Sequence, residues 1–258
     1  MFMTDPIKIK YAGGTDRGKL REQNEDSILM SEFEHSDVVL LQVADGVGGH
    51  EGGEVASNLT VEFMQASVAK AVLLANSGAG YVPDWLEKTL RQAISDSNLQ
   101  LIEQQGTRLE LNNMATTIVA ILIHKNEIAV GHLGDSRCYQ FSDQKLHQLT
   151  EDHTALQKLL NEGKINQQEY ETMPMHHIIS QAIGLSRSPE IEVEKLTLNR
   201  PDCYLLCSDG LTDCLSDAQI QHVLEKNDQL ENSVDELITL ANDNGGIDNI
   251  SVVLLRNE

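Results

Sequence analysis

Between residues 116 and 149 four apolar or β-branched runs, TTIVAILI, EIAVGHL, RCYQF and KLHQL, follow one another with only short breaks. Parallel strands need a crossover of about a dozen residues or more, so this stretch has no room for βαβ units. The runs must pair as an antiparallel meander, with turn chemistry supplied by Lys125-Asn126 and Ser142-Asp143. Further strand-like runs are IKIKYA, DSILMS, DVVLLQVA, IEVEKLTL, CYLLCS and NISVVLL. Two long helical patterns precede the meander. One covers about 52–75 with Val55, Leu59, Phe63 and Met64 on its stripe, and the other about 84–105 with Leu86, Leu90, Ile94, Leu101 and Ile102, stopping at Gly106. Ser216 with Gln219 and Ser233 with Glu236 read as capping boxes opening two later helices. Residues 152–184 read as two short helices joined at Gly163 and followed by the loop MPMHH, a helical insertion in β-rich surroundings. With no linker or repeat, residues 1–258 read as one α+β domain.

Charge narrows the partners. The chain carries 40 Asp and Glu against 19 Lys and Arg, a net −21, which repels a nucleic-acid backbone and an anionic membrane surface. Its longest apolar run, IVAILI, is too short to span a bilayer, and the start MFMTDPIKIK lacks a secretory signal layout. A soluble cytoplasmic protein is expected. Cys138, Cys203, Cys207 and Cys214 match no zinc spacing and read as reduced core thiols.

The segment VADGVGGHEGGEVAS at 43–57 puts five glycines directly after Asp45. Glycine lets other atoms approach the main chain closely, so the loop suits either a phosphate or a metal beside the aspartate. A P-loop is excluded because Glu54-Val55 follow Gly53 where Lys-Ser/Thr is required, and the dinucleotide fingerprint fails at Glu51. Attention therefore shifts to the carboxylate. An apolar run leads into Asp before a small or turn-forming residue four times, at Asp45, Asp135, Asp209 and Asp248. Any one of these reads as a turn residue, and LGDSR as an ordinary hairpin turn. Together, if their strands share a packed sheet pair, they put carboxylates at one rim, where divalent cations with oxygen ligands relieve the repulsion.

RxxNED at 21–26, DGVGGH at 45–50, GDSR at 134–137, SDG at 208–210 and GIDN at 246–249 resemble, in order and spacing, the type 2C metal-dependent serine/threonine protein phosphatases of the bacterial branch. The resemblance covers about 9–255. It implies a four-layer α-β-β-α sandwich, two antiparallel sheets flanked by helix pairs, with the insertion as a flap beside the active site. It implies two Mn²⁺ or Mg²⁺ ions, with Asp45 bridging both, Gly46 offering its carbonyl, and Asp209 and Asp248 completing the direct ligands. Glu25 would hold metal-bound water, and Asp135 with Asp209 would form a third, weaker site. A hydroxide between the ions would attack phosphorus in line, with Arg21 gripping phosphate oxygens. Substrates would be phosphorylated proteins, opposing a Hanks-type Ser/Thr kinase in signalling, and the default state a monomer.

The pattern departs in places. Eukaryotic relatives carry His after the Asp-Gly pair, where this chain has Val47, which leaves the general acid unassigned, with metal-bound water the preferred proton source for the leaving group. His50 reads as a helix-start residue or one supporting the metal ligands, ahead of a role as general acid, Gly48 and Gly49 as the sharp turn into that helix, and His132 as a packing residue. His153 and Asp152 match an Asp-His pair with a structural hydrogen-bonding role. His176 and His177 close the flap insertion, either tuning target preference or lying on a loop without function. The rival reading is a catalytically silent module that binds phosphoproteins; such modules lose metal carboxylates, and all five acidic positions stand here. A nuclease is disfavoured by the charge and the absence of a basic groove.

Overall fold

The computed structural model describes residues 8–47, 52–106, 111–173, 178–198 and 202–257. Two antiparallel sheets lie face to face. One has the order β1-β11-β10-β7-β8, from β1 (Ile9–Asp16), β11 (Ile250–Asn257), β10 (Cys203–Cys207), β7 (Arg137–Ser142) and β8 (Lys145–Gln148). The other has the order β2-β3-β5-β6-β9, from β2 (Asp26–Glu32), β3 (Val38–Val47), β5 (Ile118–His124), β6 (Glu127–Leu133) and β9 (Glu192–Thr197), with the short β4 (Ala115–Thr116) added to β3. Helices α1 (Gly52–Leu74) and α2 (Trp85–Gln105) cover the second sheet. The first is covered by α5 (Asp209–Thr212), α6 (Asp217–Lys226) and α7 (Leu230–Asp243).

Side-chain alternation along each strand builds the layers. In β3, Val39, Leu41 and Val43 enter the core between the sheets, while Val38, Leu40 and Ala44 face α1 and α2. In β10, Tyr204 and Leu206 point to the other sheet and Cys203, Leu205 and Cys207 to the helices. Both faces being covered, these strands are mostly apolar on both sides, with Gln42 of β3 buried and donating to Val61 O, and each fully buried Leu or Ile contributes about 1.5–3 kcal/mol. The α-β-β-α sandwich expected from the motifs is what the chain forms. The four cysteines are free thiols, with Cys203 and Cys207 on one strand face. No described helix is long and apolar enough to cross a membrane.

Several expectations change in detail. The runs at 116–149 form two hairpins in different sheets: β5 pairs β6, β7 pairs β8, and the chain crosses between sheets at Gly134-Asp135-Ser136. LGDSR is therefore a crossing, not a hairpin turn, made possible by Gly134 at φ +124°. The buried stripe of α1 runs through Ala56, Thr60, Val61, Met64 and Val68, leaving Val55 and Leu59 half-buried. Small residues let the helix approach β2 closely, where Ser57 Oγ meets Ser27 Oγ at 2.9 Å. The capping box at Ser216 is present, but Ser233 lies inside α7, which begins at Leu230 because that buried leucine anchors the first turn. The insertion holds α3 (Ala155–Asn161) and α4 (Gln167–Thr172), with Gly163 left-handed between them.

Candidate metal centre

The carboxylates collect at the rim where β2 and β3 of one sheet meet the ends of β10 and β11 in the other. Asp45 sits near the end of β3, directly opposite Asp26 of β2. Its backbone is fixed by the next strand: Thr117 N donates to Asp45 O at 2.8 Å, and Asp45 N donates to Thr117 Oγ1 at 3.0 Å. Asp209 opens α5 straight after β10. Asp135 lies in the crossing between the sheets, and Thr117 Oγ1 also meets Ser136 Oγ at 2.7 Å, tying that crossing to Asp45. Asp248 differs from the expected pattern: it precedes β11 instead of ending a strand, because α7 and its terminal turn deliver the chain to the rim.

Gly46 is demanded by close packing. A Cβ there would lie 2.2 Å from Gly53 O and 2.6 Å from Glu25 O, so the start of α1, the end of β3 and Glu25 meet backbone to backbone. Gly46 N donates to Glu25 O at 3.1 Å. The residues Gly48, Gly49 and His50 lie outside the described residues, as do His176 and His177.

Electrostatically the predicted residues form one cluster. Burial first, then the charges of Asp26, Asp209 and Asp135, push the Asp45 carboxyl well above the usual carboxylate range. Asp45 and Asp209 are close neighbours in this cluster, and the charge of Asp209 adds to the rise at Asp45. Burial raises Asp26 to about 7 and Asp135 to about 8, with Asp209 adding repulsion to both. The Glu25 carboxyl is raised by burial and by Asp248, against the lowering effect of Arg21. Arg21 reaches the cluster from the chain before β2, and its Nη2 donates to Asp248 Oδ2 at 2.5 Å. All seven sequence-predicted residues thus share one rim, with Arg21 engaged on a carboxylate there.

Divalent cations fit this donor set. Asp26 Oδ1, Asp135 Oδ1 and Asp209 Oδ1 are buried without a hydrogen-bond partner, and an uncompensated buried carboxylate oxygen is costly. Hard cations accept such oxygens directly.

Neighbouring residues complete the frame, and two of them, Asp26 and Asn249, were assigned no role from the sequence. Asp26 is buried and accepts from Ser208 Oγ at 2.7 Å, which in turn accepts from Ser251 N at 3.0 Å, so one carboxylate joins β2, β10 and β11. Its signal was present: Asp26 falls in step with Ile28 and Met30, the inward positions of β2. Asn249 accepts from Glu25 N at 2.8 Å and donates to Arg17 O and Gln23 O at 2.8 and 2.9 Å. That side chain holds the Arg21–Glu25 segment against the Asp248 turn, a role no local pattern announces. His132 is buried and stacks on His153 with ring centroids 4.5 Å apart, and Asp152 grips Arg137 Nε and Nη2 at 2.8 and 2.6 Å.

Known proteins bear on this geometry. The family model described as Protein phosphatase 2C matches residues 14–254. The serine/threonine phosphatase stp of Listeria welshimeri is 33% identical over 241 residues, covering 93% of this chain and 93% of that protein. The serine/threonine phosphatase of S. agalactiae superposes with a TM-score of 0.86 at 33% identity, covering 97% of this chain and 100% of the other. The catalytic domain of the serine/threonine protein phosphatase PstP, solved with two manganese ions, superposes with a TM-score of 0.77 at 34% identity, covering 97% and 98%. With its acidic motifs on one rim of a two-sheet sandwich and the match running almost end to end, the chain belongs to the protein phosphatase 2C family, among its bacterial members.

Proposed function

We propose that this chain is a single catalytic domain over 1–258, with a flap at about 152–184, that removes phosphate from phosphoserine and phosphothreonine in proteins. The observation that carries the reading is the set of buried, partnerless oxygens on Asp26, Asp135 and Asp209 around the Asp45–Asp209 contact. Asp45, the Gly46 carbonyl, Asp209 and Asp248 hold two Mn²⁺ or Mg²⁺ ions, and Asp135 with Asp209 a third, weaker one. The two manganese ions of the PstP catalytic domain support that number. Bound there, such a pair supplies hydroxide near neutral pH and offsets charge on the phosphoryl oxygens.

The chain's own groups do the rest. Glu25, its main chain pinned by Asn249 and Gly46, orients water at the rim. Arg21 is half-exposed, and the guanidinium donors not spent on Asp248 are open to the two oxygens of an arriving phosphate. Asp26 sits behind Asp45 and fixes the spacing of the two sheets through Ser208. The protein acts in the cytoplasm as a monomer in signalling, reversing a Hanks-type Ser/Thr kinase. The test is hydrolysis of p-nitrophenyl phosphate and of a phosphopeptide panel including phosphotyrosine, with Mn²⁺, with Mg²⁺ and with EDTA. Metal-dependent release from phosphoserine and phosphothreonine peptides is expected, and turnover that survives EDTA overturns the reading.

A further inference from the structure

Gly134 makes the crossing from β6 to β7, and Asp135 leaves the chain at the next residue. The turn has little freedom: φ is +124°, and a Cβ on Gly134 would lie 2.6 Å from the Thr117 side chain. Both backbone polar groups of Gly134 go to one distant residue. His153 N donates to Gly134 O at 2.9 Å, and Gly134 N donates to His153 Nδ1 at 3.2 Å. We propose that His153 is a positioning residue for Asp135, setting the direction of its carboxylate by clasping Gly134 through both backbone groups. This rests on the reading of Asp135 as a ligand of the third cation.

The clasp is itself braced. His153 is buried and stacks on His132, whose Nε2 donates to Glu151 O at 2.8 Å and so holds the chain two residues before His153. Thr154, the next residue, caps α3 by accepting from Gln157 N, and Asp152, the preceding one, is locked on Arg137. On the far side of Asp135, Ser136 is tied to Thr117. Asp135 is thus suspended between two fixed neighbours, its Oδ1 buried and unpaired.

The hydrogen bonds also decide between two roles for the histidines. His132, His153 and Glu192 place one possible ligand atom each within 4.8 Å of one another, a donor set that suits a transition ion. However, because His153 Nδ1 accepts from Gly134, the ring proton sits on Nε2, which faces Glu192 Oε1 at 3.6 Å. A cation on Nε2 would need the proton on Nδ1, pointed at the Gly134 N–H. His132 and His153 therefore serve as a brace.

The experiment measures Mn²⁺ binding by calorimetry, alongside activity against Mn²⁺ concentration, in the full chain. The variants are Asp135→Asn, His153→Leu, His153→Gln, His153→Asn and the double variant Asp135→Asn/His153→Leu. Leu removes the acceptor, Gln carries it at the Nε2 distance, and Asn puts an oxygen close to the place of Nδ1. His153→Leu and His153→Gln should weaken the third binding event about tenfold while the two tight ions remain, and His153→Asn should restore most of it. In the Asp135→Asn background, His153→Leu should add no further shift. Wild-type weak binding in both His153→Leu and His153→Gln, or an equal shift in both backgrounds, overturns the inference while Asp135 keeps its role. If Asp135→Asn alone leaves the third event intact, the Asp135 reading fails first and the inference with it.

Discussion

Arg21 Nη2 donates to Asp248 Oδ2 at 2.5 Å, joining the segment before β2 to the turn before β11. The guanidinium proposed for phosphate and the carboxylate proposed for metal therefore hold each other in place. Arg21→Ala should raise KM for p-nitrophenyl phosphate about tenfold or more, with a smaller change in kcat, because charge-assisted hydrogen bonds to the phosphate are lost. Steady-state kinetics at saturating Mn²⁺ checks this, and an unchanged KM removes the arginine from phosphate binding.

Asp209 belongs to both cation sites in the proposed scheme and lies in the buried cluster with Asp45. Asp209→Asn should abolish turnover yet leave the far-ultraviolet circular dichroism nearly as before, since the substitution keeps the side-chain volume. Calorimetry should show the tight manganese binding lost.

The acidic rim also sets a pH dependence of stability. Asp26 and Asp135, pushed up chiefly by burial to about 7 and about 8, bind protons in the folded metal-free chain more tightly than in the unfolded one. Their contribution is full below the ordinary carboxylate range and is lost as pH rises through those raised values. The metal-free protein should then melt at a lower temperature at pH 8.5 than at pH 6. Stabilisation by added Mn²⁺ should be larger at pH 8.5, because the ligands must shed their protons to bind. Thermal melts at the two pH values, with EDTA or Mn²⁺, read this directly.

Gly46→Ala forces a Cβ against the Gly53 and Glu25 carbonyls, both backbone and unable to swing aside. Overpacking of this kind costs about 1–3 kcal/mol. The melting temperature should fall by several degrees, and activity by more than the stability loss explains, because the displaced groups belong to the proposed metal rim.

Much of the sandwich could be read from residues alone, because continuous apolar runs such as DVVLLQVA and CYLLCS state that both faces of their strands are buried. The carboxylates too were legible, since Asp45, Asp135 and Asp209 each sit where an apolar run stops. What stayed hidden depends on contacts between distant segments. Nothing near Ser233 tells that Leu230 is buried and that α7 starts a turn early. Nothing around GDSR shows that the chain changes sheets there, because the same glycine turn would close a hairpin. Asn249 reads as a loop residue until its amide is seen spanning Arg17, Gln23 and Glu25.

β1 and β11 run side by side, with Asp16 opposite Ile250 and Ile9 opposite Asn257. Asp248 and Asn249 hold the reactive end of that ribbon, so its other end lies the length of an eight-residue strand away, about 26 Å. The chain therefore enters β1 at Ile9 and leaves β11 at Asn257 side by side, at the pole opposite the carboxylates. A tag, tether or second module attached at either end can therefore be held fast while a bulky phosphoprotein still approaches from the other side.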